Sequence, residues 1–231
     1  MTQFSDDLYL GAADGPQAFS ASAYGRGVGP LGRVYVWDIV PLTLDADGIC
    51  ASQSVSTANA RINGALTSDD SVTLDVPRAL QMAAAVGNTS NVTVTGTDYY
   101  GRAQTETRAL NGTTPVNFLK AFKTVTQVFV NGAVTTFTIG TRDAFGFPYR
   151  VTNVAYLATV KWNSTLAQDA GTFTAADTTS PATASTGDVR GLYQPSNAAD
   201  GSKRLVAAIL LPAIAAGPDA TTVGAIGVTP A

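Results

Sequence analysis

Apolar and polar residues alternate most clearly between residues 71 and 140. Ser71-Val72-Thr73-Leu74-Asp75-Val76 has the period of two that marks a half-buried strand, and Pro77 is expected to end it. Asn91 to Thr97 repeats the alternation. Asp98-Tyr99-Tyr100-Gly101 then has turn chemistry, with Asp to cap and Gly to take a positive φ. Arg102 to Leu110 alternates again and completes a hairpin. Gln104, Glu106 and Arg108 share one face of it, where they are expected to form a surface cross-strand set. Thr124 to Val130 and Ala133 to Ile139 flank Asn131-Gly132, the pair that best tolerates a type I′ turn, so a second hairpin is predicted there.

Outside that region the pattern is sparser. Arg33 to Val40 predicts a strand closed by Pro41. The stretch from Asp45 to Asp70, rich in Ala, Ser and Asn, fits either a loop or a short helix. Further strands are predicted at Arg150–Tyr156, Ala158–Trp162, Gly171–Ala175, Asp188–Tyr193 and Leu205–Leu211. No long segment has a helical period of 3.6. Many short strands with regular turns predict an all-β fold, a β-sandwich with a jelly-roll-like core or a related barrel, over residues 34–212. Strand order is left open between a jelly roll and an immunoglobulin-like sandwich. Residues 1–33, dense in Gly and Pro, predict an extended N-terminal arm. Its apolar residues Phe4, Leu8, Tyr9 and Leu10 are the expected contact anchors. Residues 213–231, rich in Ala, Gly and Pro, predict a C-terminal tail.

Composition supports strands over helices. Charged residues are 13% of the chain, about half of the ~25% typical of soluble domains. Glu106 is the only Glu, and Thr and Val are abundant. The net charge of −3 and the pI near 4.8 argue against a nucleic-acid partner, which needs a basic face. The start of the chain has no basic and apolar leader, and its longest apolar run, Leu205 to Ala216, is broken by Pro212. A soluble, non-secreted product with no membrane partner is expected.

Candidate chemistry is thin. The chain has no His, which excludes Ser-His-Asp and Cys-His catalysis and any His-ligated zinc site. Cys50, the single cysteine, is expected to be a small buried apolar residue. Gly27-Val28-Gly29-Pro30-Leu31-Gly32 fits G-x-G-x-x-G, but the strand follows the loop instead of preceding it, so a turn-rich linker is expected. Asp45-Ala46-Asp47-Gly48 lacks the remaining ligands of a calcium loop. Asp6-Asp7 and Asp69-Asp70 are expected to be solvated turn acids. Tyr99, Tyr100 and Trp162 would form a carbohydrate-stacking shelf if exposed, though core packing is the commoner use. The expectation is a non-enzymatic protein with no cofactor, no metal and no catalytic residues.

Several stretches together resemble one group of proteins. They are Val92-Thr93-Val94-Thr95-Gly96-Thr97-Asp98-Tyr99-Tyr100-Gly101, Thr105-Glu106-Thr107, Lys120-Ala121-Phe122-Lys123-Thr124-Val125-Thr126 and Gly146-Phe147-Pro148-Tyr149-Arg150-Val151. Asp6 to Gly11, Asp75 to Arg78, Gly187 to Gly191 and Asp200 to Arg204 fit the same set. The chain is similar in these stretches to virion structural proteins of tailed bacteriophages, and among them to head cement or decoration proteins. The resemblance implies a capsid-stabilising role, a β-sandwich or jelly-roll homotrimer, and the major capsid protein as partner. It also implies a place on the phage head exterior after synthesis in the bacterial cytoplasm. It carries no catalytic residue across. The alternatives are another virion component (tail or adaptor), a receptor- or glycan-binding module, and a depolymerase with two facing carboxylates.

Overall fold

The computed structural model describes residues 33–177, 179 and 183–211. The anchors Phe4, Leu8, Tyr9 and Leu10, the Gly27–Gly32 motif, Asp6-Asp7 and the C-terminal tail lie outside the described residues. Eleven strands follow in order: β1 Arg33–Ile39, β2 Cys50–Asn59, β3 Thr67–Ser68, β4 Ser71–Ala83, β5 Asn91–Thr97, β6 Ala103–Ala109, β7 Val116–Gly146, β8 Leu157–Trp162, β9 Thr172–Thr174, β10 Leu192–Gln194 and β11 Leu205–Leu211. Among the described residues the one helical element is a single 3-10 turn, Val154–Tyr156.

The strands form an all-β sandwich of two sheets. The smaller has the order β1-β11-β8, antiparallel, with Arg33 opposite Leu211 and Ile39 opposite Leu205. The larger has eight strands built around β7. Its first half pairs with β5, Val92 opposite Val130, and β5 carries β6 on its other side. Its second half pairs with β2 and ends against β10. Strand β4 touches both halves. Met82 stands opposite Val116 on one flank and Ile139 on the other, and Arg78 lies between Phe122 and Phe145. The long strand therefore curls round until its end reaches the flank of β4 opposite its beginning.

Two apolar clusters fill the fold. One sits within the curl of the large sheet, where Phe118, Phe122, Val128, Phe137, Ile139, Leu80 and Met82 are buried. The other joins the two sheets through Trp37, Phe145, Phe147, Trp162, Leu205 and Ile209. The Trp37 and Phe147 rings are 5.0 Å apart. Each such buried side chain contributes roughly 1.5–3 kcal/mol relative to exposure.

Four local expectations are corrected. First, Asn131-Gly132 is not a hairpin turn, because β7 runs straight through it. Ser56 faces Ala133 while Ala58 faces Val130, so the extra β7 residues form a bulge. The Asn131 side chain accepts the Asn91 N–H at 2.8 Å, and a Cβ on Gly132 would lie 2.5 Å from Ser90 Oγ. The glycine makes room for a neighbour instead of turning the chain. Second, Pro77 does not end its strand. It falls in the register shift between Thr73 and Arg78, where no ladder N–H is required. Third, the undecided 45–70 stretch contains β2. Most of its side chains are exposed, so no clean alternation marks it. The segment Arg150–Tyr156 is a loop and 3-10 turn instead of a strand.

Candidate functional site

Among the described residues strand β6 pairs with β5 alone, yet its inward side chains reach across to β7. The expectation of a surface set is overturned here. Glu106 is 1% exposed and Gln104 is buried. Gln104 Nε2 donates to Ala121 O at 2.7 Å. The Glu106 carboxylate accepts the Leu119 N–H at 2.8 Å and the Lys120 N–H at 2.7 Å. Polar alternation looked like a solvent face because it is one in most hairpins. Here it is the inner face, and its side chains supply the hydrogen bonds that a further strand would have given.

The network continues through charged groups. Lys120 Nζ donates to Thr105 O and Thr183 O at 2.8 and 2.6 Å. Asp188 accepts Ala121 N–H at 2.8 Å and Arg190 N–H at 2.7 Å. Arg190 pairs with Asp98 at 2.8 Å, donates to Pro148 O, and lies 4.7 Å over the Tyr100 ring. Asp98 in turn caps the β5–β6 turn through the N–H groups of Tyr100 and Arg102. Burial pushes Glu106 up to about 7 and Asp188 up to about 6, against the pull of their backbone donors. Burial also lowers Lys120, although Glu106 and Asp188 oppose the shift.

A carboxyl that titrates near neutrality is a common sign of an acid–base catalyst. The geometry of Glu106 gives it another use. Its oxygens are aimed at backbone N–H groups, and an open cleft lies elsewhere. That cleft, about 530 Å³, is lined by Asn59–Asn63, Asp70 and Thr126–Val128. Its walls hold one carboxylate and one guanidinium, so it can hydrogen-bond a polar group but presents no paired carboxylates. Among the described residues no group of three His, Cys, Asp or Glu could hold a metal ion. No helix among them is long and apolar enough to cross a membrane.

The remaining candidates separate. Cys50 is buried, and desolvation pushes its thiol up to about 12. Asp69 and Asp70 both have positive φ and form the tight turn between β3 and β4. Asp45 holds a local turn and accepts the Thr141 N–H through its backbone oxygen. Trp162 is buried in the intersheet core, so it does not join Tyr99 and Tyr100. Those two tyrosines are exposed, with rings 4.8 Å apart and edge to face. Tyr35 and Tyr149 stack in the same way at 4.9 Å.

Sequence reasoning missed the surface along β1. Val36 on β1 and Val40, Leu42 and Leu44 in the loop that follows it are exposed, and Asp38 is held by Arg204 through its Nε at 2.6 Å. The two edges of the small sheet also differ. At β8 the Val160 N–H is taken by Gln168 Oε1 and the Val160 oxygen by the Asp169 N–H. At β1 the only strand neighbour among the described residues is β11. Trp37 and Ile39 are as apolar as Val36 and Val40, so the sequence carried no signal of which side chains face outward. No protein-family model matches the chain, and neither a curated protein nor a solved structure matches it.

Proposed function

We propose that the chain is a structural protein of a tailed-phage virion, a cement or decoration subunit that binds between major capsid proteins and stabilises the head. The observation that carries this reading is the pairing of Arg33 with Leu211. The described residues therefore begin and end side by side at one corner of the sandwich. Chain segments rooted together at one corner are suited to grip neighbours on a lattice, where many weak contacts add through multivalency. The buried ionisable groups support the same reading, since Glu106, Asp188, Arg190 and Arg78 are spent on tying backbone together. A homotrimer at capsomer junctions is the expected assembly, on the head exterior, with no nucleic-acid contact.

The test is cryo-electron microscopy of the intact virion. Density for the sandwich at capsomer junctions supports the proposal. Density confined to the tail or the portal vertex overturns it in favour of an adaptor.

A second reading, a glycan-binding module, is favoured by the exposed Tyr99–Tyr100 pair, which offers ring faces for a sugar to stack on. It predicts glycan-array binding that Tyr100→Ala abolishes while the fold is kept.

A further inference from the structure

The side chains most easily oxidised are placed unevenly in this fold. Cys50 is buried, and desolvation pushes its thiol up to about 12, so almost no thiolate is present at neutral pH. Met82, Trp37, Trp162, Tyr156 and Tyr193 are also buried. Among the described residues, the surface offers one patch of phenols instead. Tyr100 is 55% exposed and Tyr99 37%, with Tyr35 and Tyr149 half-buried beside them. Half of the chain's eight tyrosines are gathered here.

Three parts of the fold supply the patch. Tyr35 comes from β1, Tyr99 and Tyr100 from the turn between β5 and β6, and Tyr149 from the segment that follows β7. The Tyr35 and Tyr149 rings are 4.9 Å apart at an angle of 75°, and the Tyr99 and Tyr100 rings 4.8 Å apart at 64°. The two pairs form one group. Burial raises Tyr35, and the phenols of Tyr99, Tyr149 and Tyr100 around it raise it further. Burial and then Tyr149 raise Tyr100, against the pull of Arg190. The Tyr100 hydroxyl donates to Pro148 O at 3.0 Å, next to Tyr149 in the chain. Arg190 lies 4.7 Å over the Tyr100 ring and is itself held by Asp98 at 2.8 Å. The Tyr35 and Tyr149 rings therefore meet edge to face at nearly the separation of two bonded rings, and a modest ring rotation brings their ortho carbons together.

We propose that this patch is an oxidative cross-linking site, at which a one-electron oxidant acting on Tyr99 and Tyr100 leads to a covalent bond between Tyr35 and Tyr149. A radical formed on an outer phenol takes an electron and a proton from Tyr35 or Tyr149 and is restored. The two inner radicals couple through their ortho carbons. The ortho hydrogens then move to the oxygens and both hydroxyls return. In sum, two electrons pass to the oxidant, two protons pass to water, and the product has two hydrogens fewer. Tyr99 and Tyr100 relay the radical instead of coupling, because a bond between adjacent side chains would strain the peptide unit between them. The bond ties β1 of the small sheet to the segment leaving the large sheet. It closes a long loop and so disfavours the unfolded chain. This inference goes beyond the virion role and does not depend on it.

The test illuminates the full-length protein with a ruthenium tris-bipyridine complex and persulfate, which remove one electron at a time. The monomer is expected to gain dityrosine fluorescence. Peptide mass mapping is expected to find Tyr35 joined to Tyr149, lighter by two hydrogens, and to find no such link in Tyr149→Phe. The urea midpoint of the linked monomer is expected to rise. In Tyr99→Phe/Tyr100→Phe the link is expected to form severalfold more slowly. Circular dichroism checks that both variants keep the fold, since each substitution removes hydroxyls alone. Oxygenated tyrosines without the Tyr35–Tyr149 link, or dityrosine found only between copies, overturn the proposal. An equal rate in the double variant overturns the relay through the outer pair.

Discussion

Arg78 and Asp143 are 65 residues apart in sequence and 2.8 Å apart in space, with 1% of the Arg78 side chain and 9% of the Asp143 side chain accessible. Asp75 shares the guanidinium at 3.3 Å, and Arg78 also donates to the oxygens of Leu42 and Arg142. The second Asp143 oxygen accepts the Ala199 N–H at 3.0 Å. The pair thus pins β4 to the end of β7 and to two loops. Removing one partner leaves a buried charge with too few contacts, at a typical cost of about 3–5 kcal/mol. Asp143→Ala is expected to lower the urea midpoint by a corresponding amount. Asp75→Ala is expected to cost less, since that carboxylate is longer-ranged and more open. An Arg78→Met/Asp143→Leu double variant is expected to recover part of the loss.

Glu106 and Asp188 set an unusual pH dependence. Both have folded-state values above their ordinary ones, at about 7 and about 6. Between the ordinary and the raised value the native state holds more protons than the unfolded chain. Stability therefore falls as pH rises through about 4 to 7 and is fully present only below the unfolded values. Asp38, Asp177 and Asp200 shift downward and act in the opposite sense, losing their contribution only as pH falls below about 4. Urea midpoints are expected to decline from pH 5 to pH 7.5. Glu106→Gln is expected to flatten the upper part of that decline, at a lower baseline because one backbone acceptor is lost. A midpoint that rises steadily over the same range contradicts this account.

How far the sequence revealed the fold depended on whether solvent or another part of the chain lay on each side of a strand. Strand β5 and the strand ending at Leu211 were legible because one face is buried and the other is not. Strand β2 was not, because it carries mostly exposed side chains. Glu106 was misplaced for the converse reason: its strand alternates cleanly, but the polar face is the buried one. Periodicity states that two faces differ and cannot state which one meets the core.

Asn131-Gly132 runs inside β7, whereas Asp69-Asp70 turn the chain as expected. Asp69 and Asp70, with φ of 51° and 56°, make the tight turn. The left-handed region costs an ordinary residue roughly 1–2 kcal/mol, less for Asp. Asp70→Gly is expected to stabilise the protein by a few tenths to about 1 kcal/mol. A loss of stability in thermal unfolding would mean that the Asp70 side chain makes a contact worth more than the relieved strain.

Gly132 answers to a different constraint. An added Cβ meets the Ser90 hydroxyl at 2.5 Å, the end of a short side chain, and no backbone atom within 4 Å. Gly132→Ala is expected to cost about 1 kcal/mol. Ser90→Ala in the same chain is expected to restore most of it. In a type I′ turn the cost would come from positive φ, and Ser90→Ala would restore nothing. A double-mutant cycle separates the two. By contrast, a Cβ on Gly96 would meet Thr124 O at 1.9 Å, so Gly96→Ala is expected to cost several times more, with no side-chain rescue.

Cys50 offers a report on how the curl of the large sheet opens. It begins β2, stands opposite Ile139, and belongs to the larger apolar cluster. Burial in that cluster removes solvent from the sulfur and raises the thiol to about 12, so almost no thiolate exists at neutral pH. Reaction with a disulfide reagent therefore requires an opening event that frees the start of β2 from β7. Below denaturing conditions the labelling rate is expected to be limited by that opening and to vary little with pH between 7 and 9 once opening becomes rate-limiting. Asp143→Ala is expected to speed labelling only if opening at Cys50 is global, because the Arg78–Asp143 pair holds a different part of β7. If the labelling rate instead stays unchanged in Asp143→Ala while its urea midpoint falls, β2 opens as a local unit. Fast labelling of the native protein, at a rate close to that of a free thiol, would contradict the buried placement of Cys50 and with it the packing of β2 on β7.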